Sequence, residues 1–284
     1  MLFHLATSKR FERAVRCLPA GEARAWAAAQ RYVAGREGAD ALRVARELAA
    51  RGIGASLDFF GEQVRDRELA RGATHRYVAL AHELADLPDD VWLSIDLSHI
   101  GLDVDVSFCR SQLERIVAAL PEDRLIQIGA EDAARADDTL AVVLPLARAG
   151  APLGATLQAN LRRSDQDLTR LADAQLHVRL VKGAYLETSD LARAYGEETD
   201  LSYVRLAHEL TEAGLRVALA THDRVLREAL LRALPDAELE LLLGVRNDDG
   251  KQLAAQGRTV RIYVPFGEGW FRYWMRRLAE ARGS

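Results

Sequence analysis

Two stretches of this chain carry residues whose types and spacing suit chemistry on a small charged ligand. The run Tyr263 to Glu280 reads YVPFGEGWFRYWMRRLAE. Wound as a helix at about 100° per residue, it brings Tyr273, Arg276, Arg277 and Glu280 within one arc of roughly 100°, with Trp274 and Leu278 round the side. Two adjacent guanidiniums beside a phenol and a carboxylate make a clamp for a ligand's carboxylate, because arginine stays charged and offers planar, bidentate donors. In an arginine-rich chain the same pair is otherwise a solvated helix face. The second stretch, Val178 to Glu187, reads VRLVKGAYLE. It is an apolar, β-branched run that breaks at Gly183 into Ala184 and Tyr185, as a buried strand does when it hands over to a functional loop. Arg179 sits inside that run, where an unpaired charge is expensive to desolvate, so it calls for an internal ion pair or a functional contact.

The elements that must position these residues alternate along the chain. Strands are predicted at Gly54 to Phe59, Val91 to Leu97, Arg124 to Gly129, Pro152 to Leu157, Leu176 to Val181, Arg216 to Ala220, Glu238 to Leu242 and Val260 to Val264. Helical segments such as Ser111 to Ala119, Ala136 to Ala149, Asp165 to Ala172 and Ser202 to Gly214 lie between them. Eight β/α repeats of this length predict an α/β fold, a (β/α)8 barrel of the TIM type over 53–284. Residues 8–18, 21–35 and 38–52 read as helices, an N-terminal leader over 1–52 packed on the barrel. An open doubly wound sheet is the competing architecture, and no GxGxxG opens a helix to support it. In a barrel, Glu62, Gln158, Lys182, Tyr185, Thr221, His222, Glu240 and Tyr263 all fall at or just beyond C-terminal strand ends, where such folds build their sites.

Composition narrows the classes. The chain has 284 residues, 49% of them hydrophobic, enough for a sizeable core, and a formal net charge of −4 that gives no general electrostatic case for nucleic acid. Only three of its 38 basic residues are lysines (Lys9, Lys182, Lys251), so Lys182 in the second stretch is the more telling. Cys17 and Cys109 form no CxxC and no Cys/His cluster, so neither a disulfide framework nor a metal site is expected. The opening MLFHLATSKRFERAV has no leader-like apolar core, and no run of eighteen apolar residues occurs, so a cytoplasmic location is expected, with peripheral docking to a membrane left open.

The segments RLVKGAY and Y…P.G..W..Y..RR..E, in this order, closely resemble the signature segments of the proline dehydrogenase family, flavoenzymes that oxidise proline to pyrroline-5-carboxylate. A weaker likeness runs from the strand near Ile53 to the final helix. The resemblance implies FAD as cofactor, a small substrate carrying an amine and a carboxylate, and an electron acceptor such as a quinone or oxygen. It places Arg179 against the flavin near its reactive nitrogen, where a cation stabilises negative charge on the reduced ring. Val181, Lys182, Gly183, Ala184, Gln158, Thr221, His222, Glu240, Ala130 and Glu280 become cofactor contacts, and Tyr185 stands beside the flavin or the substrate. Arg276 and Arg277 become the carboxylate clamp, Tyr263, Tyr273 and Leu242 shape the substrate pocket, and Glu62 in DFFGE pairs with the first arginine to close the site and exclude water.

Four positions depart from the family pattern. WLSIDLSHIGL puts Asp96 where the family has a substrate-side lysine, and IQIGAED puts Gly129 and Ala130 where it has an aspartate and a flavin-contacting neighbour, with Glu131 kept. Glu240 stands where a glutamine is usual. Loss of a lysine and an aspartate together is coherent for one buried network. An acid at 96 with none at 129 would keep one carboxylate by moving it across the barrel floor, which makes Asp96, with Arg179 and Tyr185, a candidate catalytic residue. Little chain follows the arginine helix before Ser284, which is expected to weaken cofactor retention. The alternatives that these departures raise are a relative that oxidises another amino acid or amine derivative in a biosynthetic pathway, or a non-catalytic flavin- or partner-binding protein.

Overall fold

The computed structural model describes residues 9–283. Its centre is a closed barrel of eight parallel strands in sequence order, β1 (Gly54–Phe59), β2 (Val91–Ile95), β3 (Ile126–Ile128), β4 (Leu153–Gln158), β5 (His177–Val181), β6 (Val217–Ala220), β7 (Glu238–Leu242) and β8 (Val260–Phe266). The helices are α1 (Lys9–Cys17), α2 (Gly21–Ala29), α3 (Gly38–Ala49), α4 (Arg67–Glu83), α5 (Val106–Val117), α6 (Ala136–Arg148), α7 (Ser164–Asp173), α8 (Glu197–Glu212), α9 (Arg224–Ala233), α10 (Asn247–Ala255) and α11 (Trp270–Gly283).

Side chains alternate across a strand with period two, and this barrel sorts them sharply. Leu57, Leu93, Ile95, Ile126, Ile128, Val178, Leu180, Leu239, Leu241 and Val264 belong to the buried apolar cluster shared with the surrounding helices. The intervening set is largely polar: Ser56, Asp58, Ser94, Gln127, Thr156, His177, Arg179, Glu238, Glu240, Arg261. Register keeps it in layers, with Ser56 opposite Tyr263, Thr156 opposite Arg179 and Glu240 opposite Arg261. The barrel axis is therefore a hydrogen-bonded column rather than the usual stack of branched aliphatics.

The ends of the chain cover the barrel unequally. Helix α3 packs against β1 and β8, while α11 packs against α2. A second apolar cluster joins Ala25, Ala29 and Val33 to Trp270, Phe271, Tyr273 and Met275, with the rings of Trp26 and Trp270 5.1 Å apart. The last helix is thereby anchored over the top of the barrel, and its arginine face can reach the axis.

Some boundaries differ from the sequence reading. Helix α2 stops at Ala29 rather than 35, because the next residues run beside the end of β8: Ala34 donates to the Pro265 carbonyl at 2.9 Å, and Gly267 donates to that of Gly35 at 3.0 Å. Asp40 accepts from the Arg36 and Glu37 amides and so starts α3. Helix α5 begins five residues before Ser111, where the Asp105 side chain caps it by accepting from Phe108 N–H at 2.8 Å. No helix among the described residues is long and apolar enough to cross a membrane.

Leu57 is fully buried on the helix-facing side of β1. Leu57→Ala is expected to cost about 2–5 kcal/mol, read as a lower urea midpoint.

Candidate active site

Arg179 stands at the middle of the barrel, and its charge is met from β7. Its Nε donates to Glu240 Oε2 and its Nη2 to Oε1, both at 2.6 Å, while Ser56 Oγ donates to Glu240 Oε1 at 2.7 Å. Ser94 adds an acceptor for Nη1 at 3.3 Å. Burial works against both charges, but each group holds the other ionised: Glu240 titrates below the ordinary carboxylate range and Arg179 above its own. The Arg179 guanidinium also faces the Tyr263 ring, 5.8 Å from its centre.

Above this pair opens a cavity of about 680 Å³ at the C-terminal ends of the strands, a volume suited to a cofactor-sized ligand. The floor is Arg179, Glu240, Ser94 and Thr156, and α11 supplies Tyr273, Arg276 and Arg277 on the opposite wall. The fifth strand and the last helix thus face each other across one pit. A second cavity of about 280 Å³ adjoins it, sharing Asp58, Asp96, Tyr263, Tyr273 and Arg276 and reaching Glu12 and Glu62.

The acids cluster where the two cavities meet. Asp58 accepts from the Tyr263 hydroxyl at 2.6 Å. Burial raises its pKa from 3.8 to about 6, although Tyr263, Arg179, Ser94 and Arg276 all pull the other way. Glu131 is likewise raised by burial to about 6, with the Ser98 amide donating to it at 2.8 Å. Asp96 is pushed well above the carboxylate range by burial and by Asp58, Glu131 and Glu62, with Arg276 opposing. Glu62 lies 3.9 Å from Arg276 and 4.0 Å from Arg272, across the mouth of the smaller cavity. Burial lowers the pKa of Arg276 but its acidic surroundings, Glu62 first, raise it more, so it stays cationic.

The other half of the large cavity is lined by Val181, Lys182, Gly183, Ala184, Thr221, His222 and Leu242, with Ala130 across from them. His222 is informative. Its Nε2 accepts from the Leu242 amide at 3.0 Å, and burial followed by Arg277, Arg246 and Arg227 lowers its pKa to about 4, so the ring is neutral. A neutral ring that accepts through Nε2 carries its hydrogen on Nδ1. That Nδ1 is buried without a partner among the described residues, on a residue that lines the cavity. Lys182 sits between Asp200 at 2.6 Å and Asp223 at 2.9 Å, and these outweigh burial in raising its pKa. Tyr185 donates to the Ala130 carbonyl at 3.1 Å, tying the loop after β5 to the loop after β3.

Gln158 is placed differently. Its Nε2 donates to the Glu131 carbonyl at 2.8 Å and its Oε1 accepts from the Ala184 amide at 2.9 Å. The amide braces two loops, and the side chain is not on the wall of the large cavity. Glu240 also has both carboxylate oxygens engaged within the protein. The side chain of Glu280 lies outside the described residues. Asp96 faces both cavities. Among the described residues, no group of His, Cys, Asp and Glu side chains is arranged to hold a metal ion.

The sequence reading missed Asp58, Ser56 and Ser94. For Asp58 the signal was present: a carboxylate in the apolar run ASLDFF at the end of a strand is as anomalous as Arg179 in VRLV. The serines carry no such mark, because a small hydroxyl is unremarkable in any strand.

A sequence profile described as proline dehydrogenase matches residues 41–284. The chain is 31% identical over 261 residues to proline dehydrogenase 1 of Bacillus subtilis subsp. natto, covering 89% of this chain and 86% of that one. It is 34% identical over 272 residues to the proline dehydrogenase of Deinococcus radiodurans, covering 90% and 86%. Among solved structures, proline utilization A of Bdellovibrio bacteriovorus superposes with a TM-score of 0.79 at 22% identity, and that of Bradyrhizobium japonicum with 0.75 at 21%. These overlaps cover 89% and 88% of this chain but only 32% and 30% of those longer chains, and they speak to the fold alone.

Glu240→Leu strands the Arg179 charge and is expected to destabilise by about 3–5 kcal/mol in denaturant titration. The double variant Arg179→Met/Glu240→Leu, with no charge left to desolvate, is expected to recover most of that loss. Asp58 favours the fold while protonated, so its contribution is complete below 3.8 and is lost as pH rises through about 6. Asp58→Asn cannot ionise and is expected to lose less stability than the parent between about pH 4 and pH 7, measured by urea midpoints.

Proposed function

This chain belongs to the proline dehydrogenase family, and we propose that it oxidises proline at the carbon next to the ring nitrogen, giving pyrroline-5-carboxylate, with FAD in the large cavity. FAD, when bound, would supply the acceptor for the hydride, with a quinone or oxygen as the final electron acceptor. The observation that carries this reading is the pairing of Arg179 on the floor with Arg276 and Arg277 on the facing wall of a single cavity.

The residues divide the work. Arg276 and Arg277 bind the substrate carboxylate; they are adjacent on one helix, and Arg276 already bridges both cavities. Tyr263, Tyr273 and Leu242 bound the space for the ring. Tyr263 is fixed by its bond to Asp58, and Tyr273 by its packing 5.2 Å from Phe60. Glu62 stands opposite Arg276 across the mouth and closes the site against water. Tyr185 flanks the reacting face, held by the Ala130 carbonyl.

The cofactor side fits a group with phosphates and carbonyl oxygens. The spare Nδ1–H of His222, the Thr221 hydroxyl and the Lys182 ammonium would hold it, beside Gly183, whose missing side chain makes room for Asn160. Arg179 would place a permanent cation under the ring, where negative charge develops. Glu240 holds that cation in position rather than meeting the ring itself. Gln158 acts one step back, fixing the loops that carry Ala130 and Ala184.

Protein loaded with FAD is expected to lose its visible flavin band when proline is added without oxygen. Arg276→Met and Arg277→Met are each expected to raise the proline concentration for half-reduction by roughly tenfold or more, with the flavin spectrum unchanged. A flavin band that proline leaves intact in the parent protein would overturn the proposal.

A further inference from the structure

Gly129 follows β3, and its φ lies outside the left-handed region, so the backbone does not require a glycine there. Space does. A Cβ built on Gly129 would overlap Asp96 Oδ1, and the Ile95 carbonyl bounds it on the other side at 3.6 Å. The Gly129 amide donates to that carbonyl at 2.9 Å, which pins the ends of β2 and β3 side by side and leaves neither free to withdraw. The Asp96 carboxyl therefore stands in the volume that any larger residue at 129 would occupy.

Among the acids at this junction, Asp96 is the one whose side chain has neither a hydrogen bond nor an ion pair among the described residues. Asp58 accepts from Tyr263, Glu131 from the Ser98 amide, and Glu62 faces Arg272 and Arg276. Asp96 is half-buried and lines both cavities. The charged and titratable groups around it are Asp58 and Glu62 from β1 and its loop, Glu131 after β3, Arg276 from α11, and the phenols of Tyr77, Tyr185 and Tyr263. Three carboxyls and one arginine leave the junction rich in acid, and an incoming cation would relieve that crowding.

A substrate amino acid brings a carboxylate and a secondary ammonium. On the reading that Arg276 and Arg277 take the carboxylate, the opposite charge needs a carboxyl close by that is not already engaged. We propose that Asp96, seated in the side-chain space that Gly129 leaves open, receives the ring nitrogen of the substrate, so that the two residues form one recognition element. An ammonium donating to this carboxyl is held with its ring edge fixed over the floor of the cavity. A residue with a side chain at 129 would displace the acid and lose that orientation.

The test compares proline with its ring-oxygen analogue, tetrahydrofuran-2-carboxylate, which keeps the carboxylate but has no N–H to donate. Binding of the analogue is read from the shift it causes in the flavin band, and proline from anaerobic bleaching. Asp96→Asn is expected to raise the half-bleaching concentration of proline roughly tenfold or more, while the analogue binds as well as before or better. Gly129→Ala is expected to weaken proline in the same selective way. Asp96→Ala/Gly129→Asp, which moves the carboxyl to the neighbouring strand end, is expected to regain part of the lost proline affinity relative to Asp96→Ala. Equal losses for proline and the analogue in Asp96→Asn, or no loss for either, would overturn the proposal. Failure of the parent protein to bind the analogue or respond to proline would instead overturn the carboxylate-clamp reading on which it rests.

Discussion

The architecture depends on a buried ion pair at the barrel axis. A guanidinium that far from water is tolerable only with a carboxylate in bidentate contact and hydroxyls on the remaining donors. Glu240, Ser56 and Ser94 supply these from three different strands. Closing the barrel brings the partners together, and opening it would leave a charge without one. The same pair fixes a permanent positive charge beneath the cavity, in surroundings where its field is little screened. One interaction therefore serves both the interior of the fold and the chemistry above it.

From that centre the site grows outward in two directions. Toward α11 the walls become acidic and then cationic, from Asp58 and Asp96 to Arg276 and Arg277, an arrangement complementary to a molecule with an amine at one end and a carboxylate at the other. Toward β6 and β7 they become neutral and donor-rich, through Thr221 and His222. The loops after β3 and β5 are tied to one another by Gln158 and Tyr185 rather than left to move separately. The last helix is held in place by aromatic packing of Trp270 and Phe271 on the N-terminal helices, so residues remote from the cavity set where its arginines stand.

Much of this was legible in the sequence because the barrel's period-two pattern leaves every strand with a run of helix-facing aliphatics. The strands from Gly54 to Phe59 and from Glu238 to Leu242 have the predicted bounds. Helix ends were less legible where tertiary bonds decide them, as at Ala29, where the following residues bond to the end of β8. Charged anomalies in apolar runs, Arg179 above all, pointed to the axis. What they could not show is which partner they meet: that Glu240 spends both oxygens on Arg179, or that Gln158 spends its amide on two loops, follows from register and loop geometry. Asp58 carries the same mark as Arg179, but its partner Tyr263 lies on β8 and meets it only when the barrel closes. The relation of Asp96 to Gly129 was visible only as two odd residues, and their shared volume is a property of adjacent strand ends.

The most direct measurement is a crystal structure of the oxidised, FAD-loaded protein with tetrahydrofuran-2-carboxylate bound. The account expects the flavin ring over Arg179, the ligand's carboxylate between Arg276 and Arg277, and its ring edge toward Asp96. A flavin seated elsewhere, or a carboxylate that touches neither arginine, would contradict it.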